Sequence, residues 1–332
     1  STSIGSGHVL RCLVLADALR FRGDEIIFVS RRLSGNLFNL INAKSYDLIA
    51  LNPPDHQTDN NSHDTYIENL GVSSLQDAKE TIEFIRKLAV KVDLLIVDHY
   101  SIDFRWERSL RNLVQRIMVI DDLADRIHDC DILLDQNYYK NQKNRYVEKV
   151  PNHCAMMIGP RYALLREEFK YAHKKVKTRR GRVKRIFVFF GGVDKDQYTL
   201  RFVRILKEFR FLKIHVDFIV GSQNPSKGEI VSKCVKYGFD YHIQTNKIAH
   251  LMSKSDLAIC AGGVVTWERI CCLLPAIVIT TAKNQIAPLK EVKDLGLIYY
   301  LGHNWRDDNK VIKDVIYQAV LDVSSSKNII PN

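Results

Sequence analysis

Short apolar runs rich in β-branched and aromatic residues alternate along the chain with longer stretches whose apolar positions recur every three to four residues. That is the pattern of strands and covering helices in a parallel sheet. In the first half it predicts strands over 25–30, 46–51, 94–98, 116–121 and 131–134, with helices over 9–21, 75–90 and 103–114. The alternation restarts in the second half. Strands are predicted over 185–190, 214–220, 241–243, 257–260, 276–280 and 297–301, and helices near 198–209, 228–237, 248–253, 266–272 and 285–295. Strands alternating with helices throughout define the α/β class.

Two polar stretches interrupt the pattern. Residues 170–184 are crowded with Lys and Arg and read as a linker, dividing the chain into an N-terminal domain over 1–169 and a C-terminal one over 185–323. A length of 332 residues, beyond what one ordinary core holds, agrees with two domains. A basic run is usually solvated surface, and aromatic residues accompany this one only at Phe169 and Tyr171, so it does not point to nucleic acid. The stretch 52–68, with Pro53-Pro54 and Asn60-Asn61, reads as a long loop, either a lid or an insertion. The chain opens at Ser1 and enters a glycine turn at once, so a further strand is expected before Ile4.

Composition narrows little. With 46% hydrophobic and 26% charged residues the chain can bury a core. A net charge of +11 suits an anionic ligand, nucleic acid or a membrane surface equally and selects none of them. Seven cysteines without C-x-x-C spacing read as reduced thiols of a cytoplasmic protein, not a zinc site or disulfide frame. No segment reaches the ~18 continuous apolar residues of a membrane helix, which argues against stable membrane insertion.

The candidate chemistry collects after predicted strands. Gly5-Ser6-Gly7-His8, Phe190-Gly191-Gly192 and Ala261-Gly262-Gly263 lie where backbone N–H groups and helix N-termini favour phosphate, although glycine also serves any tight turn. Open α/β sheets bind ligands at the carboxyl ends of their strands, so glycine turns in both halves point to a ligand held in a cleft between the domains. Glu268 follows the last pair on a predicted helix. It suits the two hydroxyls of a ribose, or it merely satisfies the first helical turn. His8 begins a helix with Arg11 one turn later; there the dipole disfavours imidazolium and leaves a base, or the ring merely caps or packs locally. Asp98-His99-Tyr100 ends an apolar strand and delivers polar groups to the sheet edge. Asp121-Asp122 and Asp135-Gln136-Asn137 repeat that arrangement, and the paired acids raise magnesium as an alternative to an ordinary strand-to-loop transition.

Taken together, several blocks resemble one family. They are 4–13 (IGSGHVLRCL), 120–126 (IDDLADR), 133–137 (LLDQN), 159–169 (GPRYALLREEF), Phe190-Gly191-Gly192, the run from Ala261 to Glu268, and Asn284-Gln285. They are similar to the PseG family of UDP-2,4-diacetamido-2,4,6-trideoxy-β-L-altropyranose hydrolases of pseudaminic acid biosynthesis, itself similar to MurG-type GT-B glycosyltransferases. The resemblance implies a GT-B fold of two Rossmann-like domains. It implies His8 as catalytic base, Tyr100 and Asn284 lining the sugar pocket, and Gly262, Gly263 and Glu268 on UDP. Gly5, Gly7, Arg166, Gly191, Gly192, Thr266 and Gln285 complete the implied substrate site. The implied reaction is attack of water at the anomeric carbon with inversion, without metal or other cofactor, on a UDP-sugar as sole small-molecule partner. The chain departs from the family at Val264-Val265, where small polar residues are usual, and in its tail after Trp305.

Two rivals share the nucleotide site. A GT-B glycosyltransferase would admit an acceptor hydroxyl in place of water, and a non-catalytic nucleotide-binding protein would retain UDP without turning over any UDP-sugar.

Overall fold

The computed structural model describes residues 7–54, 70–88, 90–176, 179, 182–303 and 309–321. The expected loop from residue 55 onward, Gly5, and the tail beyond 321 lie outside them. The chain divides into two compact units between Leu164 and Leu165.

In the first unit all strand pairing is parallel. β1 (Ile27–Arg31) pairs with β2 (Asp47–Leu51), and a four-stranded sheet runs β3 (Val92–Val97), β4 (Val114–Ile120), β5 (Ile132–Asp135), β6 (Ala155–Ile158). Strand β4 shows why the apolar run is continuous: Ile117 and Val119 enter one core, while Met118 and Ile120 enter another on the opposite face. Helix α1 (Gly7–Phe21) serves both sheets. Leu13 and Ala16 pack with Phe28 and Leu48, whereas Cys12 and Leu15 pack with Leu94 and Ile96. Helix α2 (Phe38–Ala43) buries Ile41 beside them. On the other face lies α3 (Ser74–Lys87), whose first turn is capped by the Ser73 hydroxyl accepting from the Gln76 N–H; α4 (Phe104–Leu110) is capped likewise by Asp103.

The second unit is one six-stranded parallel sheet. Its strands are β7 (Arg185–Phe189), β8 (His215–Val220), β9 (Asp240–Ile243), β10 (Leu257–Ala261), β11 (Ala276–Thr280) and β12 (Ile298–His303), in spatial order β12-β11-β10-β7-β8-β9. β10 and β11 are buried at every residue. Helices α6 (Tyr198–Leu206), α7 (Lys227–Tyr237), α8 (Ile248–Lys254), α9 (Val265–Cys271), α10 (Ile286–Asp294) and α11 (Asn309–Leu321) complete the alternation. The chain winds outward from β7 to β9 and then restarts on the other side of β7 with β10. The reversal therefore falls between β7 and β10, the position where open sheets leave a crevice.

Four elements were not expected from the sequence, the short α2 among them. β6 is four residues, Ala-Met-Met-Ile, with a single β-branched side chain to mark it. Helix α5 (Glu167–Lys175), inside the stretch read as linker from residue 170, buries only Phe169 and Ala172 and is otherwise charged, so its apolar stripe is too thin to read; it packs on α8 and α9. Helix α11 has a plain period, Ile312, Ile316, Ala319 and Val320, in a tail that resembled nothing. Nor is the basic stretch all solvated surface. Arg179 donates to the carbonyls of Met252, Ser255, Cys272 and Leu273, and Arg185 is paired with buried Asp217. All seven cysteines are free thiols, and no helix among the described residues is long and apolar enough to cross a membrane.

Candidate active site

In the first unit a polar cluster forms at the carboxyl edge of the sheet. β3 ends at Val97 and hands over to Asp98, whose side chain is 2% exposed. His8, in the first turn of α1, places Nδ1 2.5 Å from Asp98 Oδ1. Arg11, one turn on, donates from Nη2 to the same oxygen at 2.5 Å and from Nε to Oδ2 at 2.6 Å. Its remaining nitrogen, Nη1, reaches Asp122 Oδ2 at 3.0 Å, and the Tyr100 hydroxyl donates to that oxygen at 3.3 Å. Tyr100 also sets its ring edge-on to the His8 ring, with centroids 4.4 Å apart.

The electrostatics follow from burial. Desolvation alone would raise the Asp98 carboxyl, but the Arg11 guanidinium and His8 outweigh it and hold the group far below the usual carboxylate range. Arg11 is pushed the same way in mirror image: burial disfavours its charge, and Asp98 with Asp122 more than restores it. Asp98 is thus an anion locked in place. His8 Nδ1 has two neighbours, Asp98 Oδ1 at 2.5 Å and Arg11 Nη2 at 3.3 Å, and the closer carboxylate fixes it as an N–H donor. A neutral ring held this way would keep its lone pair on Nε2, the geometry of an imidazole oriented by an acid. His99, buried and next to His8, is pushed down to about 4.

A second layer pins this edge. Arg126 donates to the carbonyls of Ile102 at 2.7 Å and His99 at 3.2 Å and pairs with Asp121 at 3.0 Å, so the turn bearing Asp98 and Tyr100 is clamped from behind. Asp121 also accepts from the Ala124 N–H and the Tyr146 hydroxyl. The paired acids read as a magnesium alternative are therefore divided, Asp121 toward Arg126 and Asp122 toward Arg11. Among the described residues no group of His, Cys, Asp and Glu is placed to hold a metal ion.

In the second unit β7 and β10 are neighbours with Phe189 opposite Cys260, so Gly191-Gly192 and Gly262-Gly263 emerge side by side at the sheet reversal. Gly191 has φ +95, which a side chain would strain. A Cβ on Gly262 would fall 1.9 Å from Leu289 Cδ1, whereas one on Gly263 would meet nothing nearer than Gln285 Nε2 at 3.8 Å. Gln285 accepts from the Thr281 N–H at 3.0 Å, which sets its amide beside the glycine pair. Asn284 lies in the same short turn, Lys283–Gln285. Thr266 is buried with its hydroxyl lacking a hydrogen-bond partner. Glu268 Oε1 accepts from Arg166 Nη2 at 2.9 Å and Nε at 3.2 Å, and Arg166 also pairs with Glu168 at 2.6 Å. Burial raises the Glu268 carboxyl despite Arg166 beside it.

The expected residues thus gather in two places, His8 and Tyr100 with Gly7 at the start of α1, and Gly191, Gly192, Gly262, Gly263, Thr266, Glu268, Gln285, Asn284 and Arg166 in the second unit. Asp98, Arg11 and Asp122 were noted in the sequence as polar groups beside His8 or at strand ends but were not assigned to the substrate site. Their signal was present: an acid ending an apolar run, and an arginine three residues after the histidine.

Two Rossmann-like units built on parallel sheets, with polar groups at the carboxyl edges, make this a GT-B fold, that of nucleotide-sugar glycosyltransferases. MurG from Acinetobacter baumannii superposes with a TM-score of 0.61 at 12% identity, covering 98% of this chain and 92% of that one. The sequence points more narrowly. The chain is 27% identical to the UDP-2,4-diacetamido-2,4,6-trideoxy-beta-L-altropyranose hydrolase of Campylobacter jejuni over 288 residues, 86% of this chain and 90% of the hydrolase. It is 30% identical over 217 residues to the spore coat polysaccharide biosynthesis protein SpsG of Bacillus subtilis, 64% of this chain and 62% of SpsG. No family model matches the chain.

Proposed function

We propose that the chain hydrolyses a UDP-linked 2,4-diacetamido-2,4,6-trideoxyhexose at its anomeric carbon, releasing UDP and the free sugar for pseudaminic acid biosynthesis. The observation that carries this reading is the His8–Asp98 pair buttressed by Arg11, in a chain aligned over most of its length with such a hydrolase.

In this reaction water forms the new bond to the anomeric carbon as the bond to the diphosphate oxygen breaks on the opposite face, which inverts the centre. His8 Nε2 takes the proton from the attacking water, and Asp98 stabilises the imidazolium as it forms. UDP leaves as an anion and needs no proton. The glycine turns, Thr266 and Gln285 meet the nucleotide and Glu268 its ribose, while Tyr100 and Asn284 contact the sugar. No metal takes part: the acids at the edge of the first sheet are engaged by arginines, and the neutralising role falls to backbone N–H groups and Arg166.

The fold also hosts sugar transfer, and a glycosyltransferase reading follows from the MurG likeness. The two separate on one experiment. UDP release is measured with a panel of UDP-diacetamido-trideoxyhexoses in water, with and without sugar acceptors, for the parent protein and His8→Asn. Hydrolysis predicts acceptor-independent release that falls by about 10²–10⁴-fold in the variant, while UDP binding by calorimetry is unchanged. Release only in the presence of an acceptor assigns transfer. Retained UDP affinity with no release from any donor assigns a binding protein.

A further inference from the structure

Asp122 is a charged residue at the proposed sugar site that the reaction itself does not use. Both donors that reach its carboxylate, Arg11 Nη1 at 3.0 Å and the Tyr100 hydroxyl at 3.3 Å, converge on Oδ2. Oδ1 is shielded from solvent and has no hydrogen-bond partner among the described residues, although the side chain keeps 13% of its surface exposed. A carboxylate oxygen with neither donor nor water is costly, and nearly all such atoms in folded proteins find a partner. The charge balance points the same way. Among the described residues the Asp122 side chain pairs with one guanidinium, Arg11, which it shares with Asp98.

We propose that Asp122 selects the sugar: its Oδ1 accepts a hydrogen bond from an acetamido N–H or a hydroxyl, and the site admits uncharged donor-bearing sugars while rejecting carboxylated ones. This rests on the assignment of the His8 cluster to the sugar in the reading above. A carboxylate brought beside Oδ1 would meet a like charge, with Arg11 already shared between two acids.

Asp122→Asn is a discriminating variant because of the two donors on Oδ2. The amide oxygen must stay with Arg11 and Tyr100, which turns the amide nitrogen to the Oδ1 position and converts an acceptor into a donor. The probes are UDP-N-acetylglucosamine and UDP-glucuronate, with UDP as reference, measured by calorimetry. The parent protein is expected to favour the acetamido sugar over the uronate by about 10-fold or more, the usual weight of a hydrogen bond to a charged group. In Asp122→Asn that preference collapses to within about 3-fold, with UDP affinity unchanged. A parent protein that binds both UDP-sugars equally overturns the proposal without any variant. So does a variant whose affinities for all three ligands fall together, which makes Asp122 only a brace for Arg11. These are binding measurements, so they stand even if no sugar is hydrolysed, and absence of turnover with the preference intact would count against the hydrolase reading alone.

Discussion

Replacing Asp98 with asparagine tests the orientation of the base and the buried ion pair in one change. Asp98 receives His8 Nδ1, Arg11 Nε and Arg11 Nη2, all at 2.5–2.6 Å. Asparagine has one acceptor oxygen for these donors. If that oxygen keeps Arg11 Nε, the amide nitrogen faces His8 Nδ1, which must then give up its proton and accept. The imidazole proton moves to Nε2, and the base is lost with the ring still in place. In serine-protease triads the wrong tautomer lowers kcat by about 10⁴, so a fall of about 10³–10⁴-fold is expected here. Stability responds separately. Arg11 is 3% exposed and would retain only Asp122; breaking a buried pair costs about 3–5 kcal/mol, and the surviving partner places the loss near the lower end. For a unit of this size about 3 kcal/mol corresponds to a melting temperature lower by roughly 6–12 °C. Single-turnover UDP release and thermal melting are the two assays. Adding Arg11→Met removes the stranded cation and should recover part of the melting temperature but none of the activity. Near-normal turnover in Asp98→Asn would refute the orienting role, and an unchanged melting temperature would refute the ion pair.

Three further outcomes are expected. Glu268→Ala should raise KM with little change in kcat, because a ribose contact is made equally in ground and transition states, and Arg166→Ala should do the same by releasing Glu268; an unchanged KM in both makes the pair purely structural. UDP release should survive EDTA, and loss of activity restored by magnesium would overturn the metal-free route. Burial, with Asp122's charge adding to it, raises the Asp135 carboxyl to about 6 from an ordinary 3.8. A carboxyl raised on folding favours the fold while protonated, so its contribution is fully present below about 3.8 and is lost as pH rises through about 6, on the order of 3 kcal/mol in all. Urea midpoints of Asp135→Asn relative to the parent should therefore climb between pH 4 and pH 7.5, and a pH-independent difference would sink the argument.

How much of this was legible depends on how local each signal is. The strands of the second unit were readable to within about two residues because β10 and β11 are buried on both faces, and burial on both faces writes an unbroken apolar run. Helix α5 was not readable, since two buried side chains among nine residues leave a mostly charged string. The candidate site divides in the same way. Glycine after a strand is a local mark, and Gly191-Gly192 and Gly262-Gly263 do follow β7 and β10. The partners of His8 and Glu268 lie 90 and 102 residues away in the chain, and no window of sequence reports that Asp98 or Arg166 closes on them. Arg179 failed for a related reason: within a run of Lys and Arg, nothing distinguishes the one guanidinium that folds inward.

That arginine has a mechanical consequence. Met252 and Ser255 lie at the end of α8, and Cys272 and Leu273 at the end of α9, so a single planar fork closes the open carbonyls of two helices at once. Helix α9 is seven residues, about 10 Å, too short to bend. Thr266 rides near its start, Glu268 at its middle, and Arg179 grips its end, which makes the helix a rigid lever bearing the proposed nucleotide contacts. Lysine at 179 would keep the charge but span fewer of these carbonyls, and the slack would be felt as lost alignment of Glu268 one turn away.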